Sequence, residues 1–267
     1  MARSRPEVSG GLSRARPAYI QQRSTSPKAE ARTFCGLECR PGSASAEKKG
    51  FCWKRTRHSH RARQDSEQKH LKQADLATLE LSAQEGHIDL KYLDESGFCL
   101  WSPVSYGYSR VGEQKRLEQV PRRGNRISIL GLWQPNEQFE YALAQGGFDG
   151  ESYLKFMDWV AEKAALTLEQ MGRLTVVVQD NGSIHTRQLV QQQWQRWQQQ
   201  GLFLFFLPPY CSEMNPIEVE WRQLKAHEIS GQMFEDEYDL ALAVMKGMQA
   251  RSEKGNYSLE RFKFNST

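Results

Sequence analysis

Apolar and polar positions along this chain switch between two periods, and each switch marks the border of an element. Leu71, Leu76, Leu79 and Leu81 lie in a charged helical pattern within "DSEQKHLKQADLATLELSAQEG" that ends near Gly86. Three strand-like stretches follow, "HIDLKYLDESGF" (87–98), "RISILGLW" (126–133) and "EQFEYALAQG" (137–146). "GESYLKFMDWVAEKAAL" (150–166) then places Tyr153, Phe156, Met157 and Val160 at helical spacing. The uninterrupted β-branched run Thr175–Val178 suits a strand at 174–179 buried on both faces. Residues 185–200 predict a helix carrying Leu189, Val190, Trp194 and Trp197 on one side, and 202–210 an apolar strand stopped by two prolines. Residues 215–228 predict a last helix entered through Pro216. Three strands followed by alternating helices and strands make an α/β layout, a mixed sheet flanked by helices.

Composition changes the picture mainly at the amino terminus. Residues 1–49 are rich in Ser, Arg, Pro, Gly and Ala and keep no period, which predicts a disordered basic extension. The expected division is that extension, a linker and helix at 50–86, a catalytic domain at 87–230, and a helix and tail at 231–267. Lys and Arg outnumber Asp and Glu by 36 to 32, and Arg3, Arg5, Arg14, Arg16, Arg23, Lys28 and Arg32 cluster in the extension. Clustered positive charge of that kind suits a nucleic-acid backbone.

No apolar run is long enough to cross a membrane, and the first residues have no apolar signal region, so a cytoplasmic, nucleoid-associated protein is expected. The five cysteines, Cys35, Cys39, Cys52, Cys99 and Cys211, are scattered and odd in number, which fits free thiols. Cys35 and Cys39 with His58 and His60 follow no zinc-ligand spacing.

Three acids draw attention by position. Asp94 ends the first strand after "LKYL", Asp180 ends a later strand after "TVVVQ", and Glu218 lies in the first turns of the helix after Asn215-Pro216. Open α/β sheets place their sites outside the carboxyl ends of strands. Three carboxylates gathered there repel one another unless a cation neutralises them. Oxygen-only donors favour Mg²⁺ or Mn²⁺, and two such ions support in-line displacement at phosphorus. Taken singly, each acid also fits an ordinary turn or first-turn helix residue, and Glu95 and Glu220 stand as rivals to Asp94 and Glu218. The tryptophans at 133, 194, 197 and 221 read as core or interface residues.

The stretches "YLDESGF", "VVVQDNGSIHT" and "FLFFLPPYCSEMNPIEVEWRQLK", in this order, resemble the DDE transposases of bacterial insertion sequences in the mariner superfamily, over roughly Lys49 to Lys225. The resemblance implies a ribonuclease-H-like catalytic fold in which Asp94, Asp180 and Glu218 hold two Mg²⁺ or Mn²⁺ ions. It implies DNA, both transposon ends and target, as partner, and a homodimer or a heteromer with full-length transposase. Asn181 and His185 match the family's "DNxxxH" pattern and would position substrate or support the acids. Lys225 matches its "WxxLK" and would meet a phosphate. Two departures stand out. Asp180 and Glu218, 38 positions apart by their numbers, are spaced a little widely, and residues 1–50 show no helix-turn-helix pair of the kind that reads terminal repeats. The expected activity is metal-dependent DNA cleavage and strand transfer; the alternative is a truncated, non-catalytic remnant that binds DNA or a full-length partner.

Overall fold

The structure, a computed structural model, describes residues 61–101, 110, 112–113, 116, 118, 121–185 and 187–264. The extension 1–49 and the positions Cys35, Cys39, Cys52, His58 and His60 lie outside the described residues. Helix α1 (Ser66–Gln84) opens on Asp65, whose carboxylate accepts from the backbone N–H groups of Glu67 and Gln68. Strands β1 (Ile88–Phe98), β2 (Ile127–Gln134) and β3 (Gln138–Gln145) form an antiparallel meander. Helix α2 (Gly150–Met171) runs five residues beyond its expected end, to Gly172, which takes the left-handed conformation that closes a helix. Strand β4 (Leu174–Gln179) keeps its expected bounds, and Thr175 to Val178 are buried.

The expected helix over 185–200 is broken in two, α3 (Gln188–Gln191) and α4 (Trp194–Gln199), and His185 sits in a turn before both. That turn places its imidazole against the end of β4. Strand β5 (Leu202–Phe206) stops short of the predicted 210, as Leu207 N–H leaves the ladder to donate to Gln179 O at 2.8 Å and the prolines follow. Helix α5 (Ile217–Gln223) passes directly into a short π-helix, Leu224–Ile229, so the predicted single helix changes its winding midway. Helix α6 (Glu237–Gly255) is followed by β6 (Ser258–Phe262).

The sheet runs β5-β4-β1-β2-β3-β6, with β1, β4 and β5 parallel and β6 parallel to β3. The segment 231–267, expected as a helix and tail beside the domain, therefore completes the sheet. One face of β1, carrying Leu90, Tyr92 and Phe98, packs with α5 and α6 through Ile217, Trp221, Leu240 and Val244. The other, carrying Leu93, packs on α2 through Tyr153, Phe156 and Val160. Among the described residues no helix is long and apolar enough to cross a membrane, and Cys99 and Cys211 are free thiols.

Candidate active site

Parallel pairing between β1 and β4 sets Tyr92 opposite Val178. Side chains alternate along a strand, so two residues onward Asp94 and Asp180 lie on that same face; Asp180 stands just past the end of β4, whereas Asp94, expected at the end of the first strand, lies within β1, which outruns β4 and continues to Phe98 in its ladder with β2. The third acid arrives from α5. Asn215, 5% exposed, donates its amide to Leu93 O at 2.9 Å, which ties the entry of α5 to the residue just before Asp94. Pro216 starts the helix with φ −67°, Ile217 is buried in the core, and Glu218 turns outward in the first turn. Asp94 lies within electrostatic reach of both Glu218 and Asp180.

The environments of the two aspartates differ. Burial pushes the Asp94 carboxyl up to about 7. Glu218 and Asp180 contribute to that rise, while the Glu95 backbone N–H and the Trp221 indole oppose it. Trp221 Nε1 donates to Asp94 Oδ2 at 3.0 Å. Asp180 is held below the usual carboxylate range by His185, helped by the Gly182 N–H, which donates to Oδ1 at 2.9 Å. His185 Nδ1 lies 2.9 Å from Asp180 Oδ1 and 3.2 Å from Asp180 O. Both are acceptors, so the ring carries its proton on Nδ1. The His185 side chain is 11% exposed and packs on the Tyr153 ring, centroids 4.8 Å apart, while the Tyr153 hydroxyl donates to the buried Gln179 Oε1 at 2.7 Å.

The remaining sequence candidates divide. Asn181 donates Nδ2 to Leu207 O at 2.8 Å, so its amide clamps the β4 exit to the β5 exit. Lys225 lies one turn beyond Trp221 with its Nζ 5.5 Å from the centre of the Phe98 ring. Burial and Arg126 pull its ammonium below the usual range, and Asp94 and Glu218 pull it back. The rival acids are engaged elsewhere. Glu95 faces the opposite side of β1 and pairs with Arg126 at 3.0 Å. Glu220 pairs with Arg251 at 2.6 Å, both side chains largely buried.

Asn215, Trp221 and Tyr153 support the acids but were read from the sequence only as motif, core and helix residues. Trp221 did carry a signal, since a position three residues after Glu218 shares its helix face.

Among the described residues no set of three or more His, Cys, Asp and Glu side chains stands close enough together to hold an ion. The donor chemistry still fits a hard cation. The groups concerned are carboxylates, and one of them, Asp94, is half-buried within reach of two like charges, an arrangement that a divalent ion relieves.

Comparison with known proteins identifies the family and the fold. The family model described as DDE superfamily endonuclease matches residues 89–241, more than half of the 267-residue chain and inclusive of all three acids. No match is found among curated proteins. Among solved structures, the Mos1 transposase paired-end complex with left transposon end matches with TM-score 0.53 and 13% identity, over 79% of this chain and 66% of that one. The Mos1 mariner paired-end complex with Mn matches with TM-score 0.55 and 13% identity, over 79% and 67%. The complex with Mg matches with TM-score 0.56 and 15% identity, over 79% and 63%. The chain thus spans about two thirds of those proteins, and the likeness is one of fold, ribonuclease-H-like. This chain belongs to the DDE endonuclease superfamily.

Proposed function

We propose that the chain is a transposase catalytic domain that cuts DNA strands and joins 3′-ends to target DNA with the help of divalent ions. What supports this reading is that Asp94 on β1 lies within electrostatic reach of Asp180 after β4 and of Glu218 on α5, with burial and the other two acids holding Asp94 partly protonated until a cation arrives. Mos1 complexes with Mn, with Mg and with transposon-end DNA are the structural relatives that support it.

In this reading Asp94, Asp180 and Glu218 hold Mg²⁺ or Mn²⁺. The ions supply Lewis acidity at phosphorus and an activated water or 3′-hydroxyl. The chain's own residues bind and orient. His185 and the Gly182 N–H keep Asp180 ionised and aimed. Asn181 and Asn215 fix the β4 exit and the start of α5. Lys225, beside Asp94 and Glu218, meets a phosphate oxygen of the bound strand. The domain works on DNA in the cytoplasm.

Nicking of supercoiled plasmid in Mn²⁺ tests this directly. Wild-type protein is expected to nick, EDTA to stop it, and Asp180→Ala to abolish it. A wild type that neither nicks nor binds Mn²⁺ by calorimetry rules the reading out. Binding without nicking, lost in Asp180→Ala, identifies a metal-competent but catalytically silent remnant.

A further inference from the structure

Four indoles among the described residues differ in how their N–H groups are used. Trp133 and Trp194 leave theirs buried without a partner, Trp197 donates to Asp158 at 2.7 Å, and Trp221 donates to Asp94 at 3.0 Å. An indole in this fold is therefore not guaranteed an acceptor, and the Trp221 pairing reflects placement.

That placement is tightly constrained. Gly131 stands opposite Asp94 in the β1–β2 ladder. A Cβ added there would lie 2.5 Å from Trp221 Cη2 and 2.8 Å from Phe139 Cε1, so only glycine leaves room for the ring. The Phe139 ring meets it edge-on, centroids 5.5 Å apart at 71°. Trp221 is 4% exposed, and it rides one turn behind Glu218 on the same short helix. A ring with a glycine floor and an aromatic wall cannot swing. Its N–H is a fixed point beside β1.

We propose that Trp221 is a positioning residue of the metal site: the ring locked over Gly131 holds Asp94 Oδ2, leaves Oδ1 for the ion, and sets the offset between Asp94 on β1 and Glu218 on α5. The proposal rests on the reading given under the proposed function. A carboxylate free to rotate would spend part of its time with both oxygens turned from the ion, and ordering it would weaken binding. Partners that orient a ligand from behind are typically worth about 10- to 100-fold in metal affinity or activity.

The test combines two readouts on the full chain. In protein labelled with ¹⁵N at its seven tryptophan indoles, the Trp221 N–H signal, identified by its contacts to Phe139 protons, should move on adding Mg²⁺. The shift should vanish in Asp94→Asn, and the Trp133 signal should stay still. Trp221→Phe keeps an aromatic ring and removes the N–H together with part of the indole's volume, a packing loss that the control Trp133→Phe shares. It should weaken Mn²⁺ binding by about 10- to 100-fold and lower kcat for plasmid nicking with KM for DNA unchanged, while Trp133→Phe matches wild type. If Trp221→Phe does not fold, the wild-type signal decides alone. A Trp221 signal unmoved by Mg²⁺ in protein that binds the ion, or a Trp221→Phe variant that binds and nicks as wild type does, overturns the proposal and leaves the proposed function standing. Wild-type protein that neither binds Mn²⁺ nor nicks removes both.

Discussion

Asp94 and Asp180 follow the last paired residues of neighbouring parallel strands by two positions, Asp94 within β1 and Asp180 beyond the end of β4, yet their surroundings drive them in opposite directions. Asp180 is 58% exposed at its side chain and receives N–H groups from His185 and Gly182, so it is ionised without help. Asp94 is more buried, receives the Trp221 indole and the Glu95 backbone N–H, and is crowded by two acids. Two donors satisfy one carboxylate and fail to satisfy the other because the His185 hydrogen bond outweighs desolvation at Asp180, whereas at Asp94 desolvation is the largest influence and two like charges add to it. The comparison assigns distinct parts. Under the proposed function, Asp180 would be a pre-formed ligand that gives a cation its first foothold, and Asp94 the group that the cation converts.

Removing either ligand should give the largest effect. Asp94→Ala and Asp180→Ala are each expected to reduce Mn²⁺-dependent nicking by ~10³-fold or more, since several kcal/mol of transition-state stabilisation depend on a complete site. Single-turnover nicking assays measure this. An active Asp94→Ala protein would mean that Asp180 and Glu218 suffice and that the asymmetry is incidental.

The comparison sharpens with pH. Below about 7 the folded Asp94 holds a proton that a bound ion must expel, whereas Asp180, lowered from its ordinary value, has none to lose. Mn²⁺ affinity should therefore fall about tenfold per pH unit between pH 7 and pH 5, with close to one proton released per site. Calorimetry in buffers of different ionisation enthalpy counts that proton. In Asp94→Asn the proton release should disappear along with most of the affinity.

Much of this site was legible in the sequence, because each acid follows a strand or helix pattern. A buried β-branched run that turns polar at Asp180 delivers that residue to the end of β4, whereas Asp94, expected at a strand end after "LKYL", lies inside β1 because the strand continues to Phe98 against β2. What supports the acids was not legible. Trp221 reads as core because nothing local says that Gly131, ninety positions earlier, leaves space for its ring opposite Asp94. His185 was placed at the start of a helix by the glutamine- and tryptophan-rich pattern that follows it, while the chain forms a turn there and breaks the helix at Gln192 and Gln193. Strand β6 escaped notice because "SLERF" is a five-residue edge with only Leu259 and Phe262 half-buried, too short for a period to emerge.

A smaller effect concerns the metal-free protein, where the two aspartates should behave oppositely. Asp94 has a folded value raised from 3.8 to about 7, so between those values the unfolded chain releases a proton that the folded chain retains. Its contribution to stability is full below pH 4 and declines as pH rises toward 7. Asp180 is lowered, so its contribution is present above pH 4 and is lost as pH falls through its folded value. In EDTA at pH 8, Asp94→Asn should raise Tm by on the order of 5 °C and Asp180→Asn should lower it by less. At pH 4 the Asp94→Asn gain should be gone. Thermal melts across that range settle the signs, and a stabilising Asp180→Asn would undo the assignment of Asp180 as the pre-formed ligand.

The smallest effect belongs to Glu95, which competes with Asp94 in the sequence and differs from it by one position. One position on a strand is a reversal of face. Asp94 points toward α5 with Tyr92 and Phe98, while Glu95 points away and reaches Arg126, whose side chain is 53% exposed. A pair in that setting contributes about 0–1 kcal/mol, because water screens the charges and both side chains lose freedom to meet. Glu95→Gln is therefore expected to leave Mn²⁺ affinity and nicking unchanged and Tm nearly so, measured beside Asp94→Asn in the same assays. If Glu95→Gln instead abolishes nicking while Asp94→Asn is tolerated, the strand presents its other face to the ions, and the contrast between Asp94 and Asp180 describes a structural pair beside the true site.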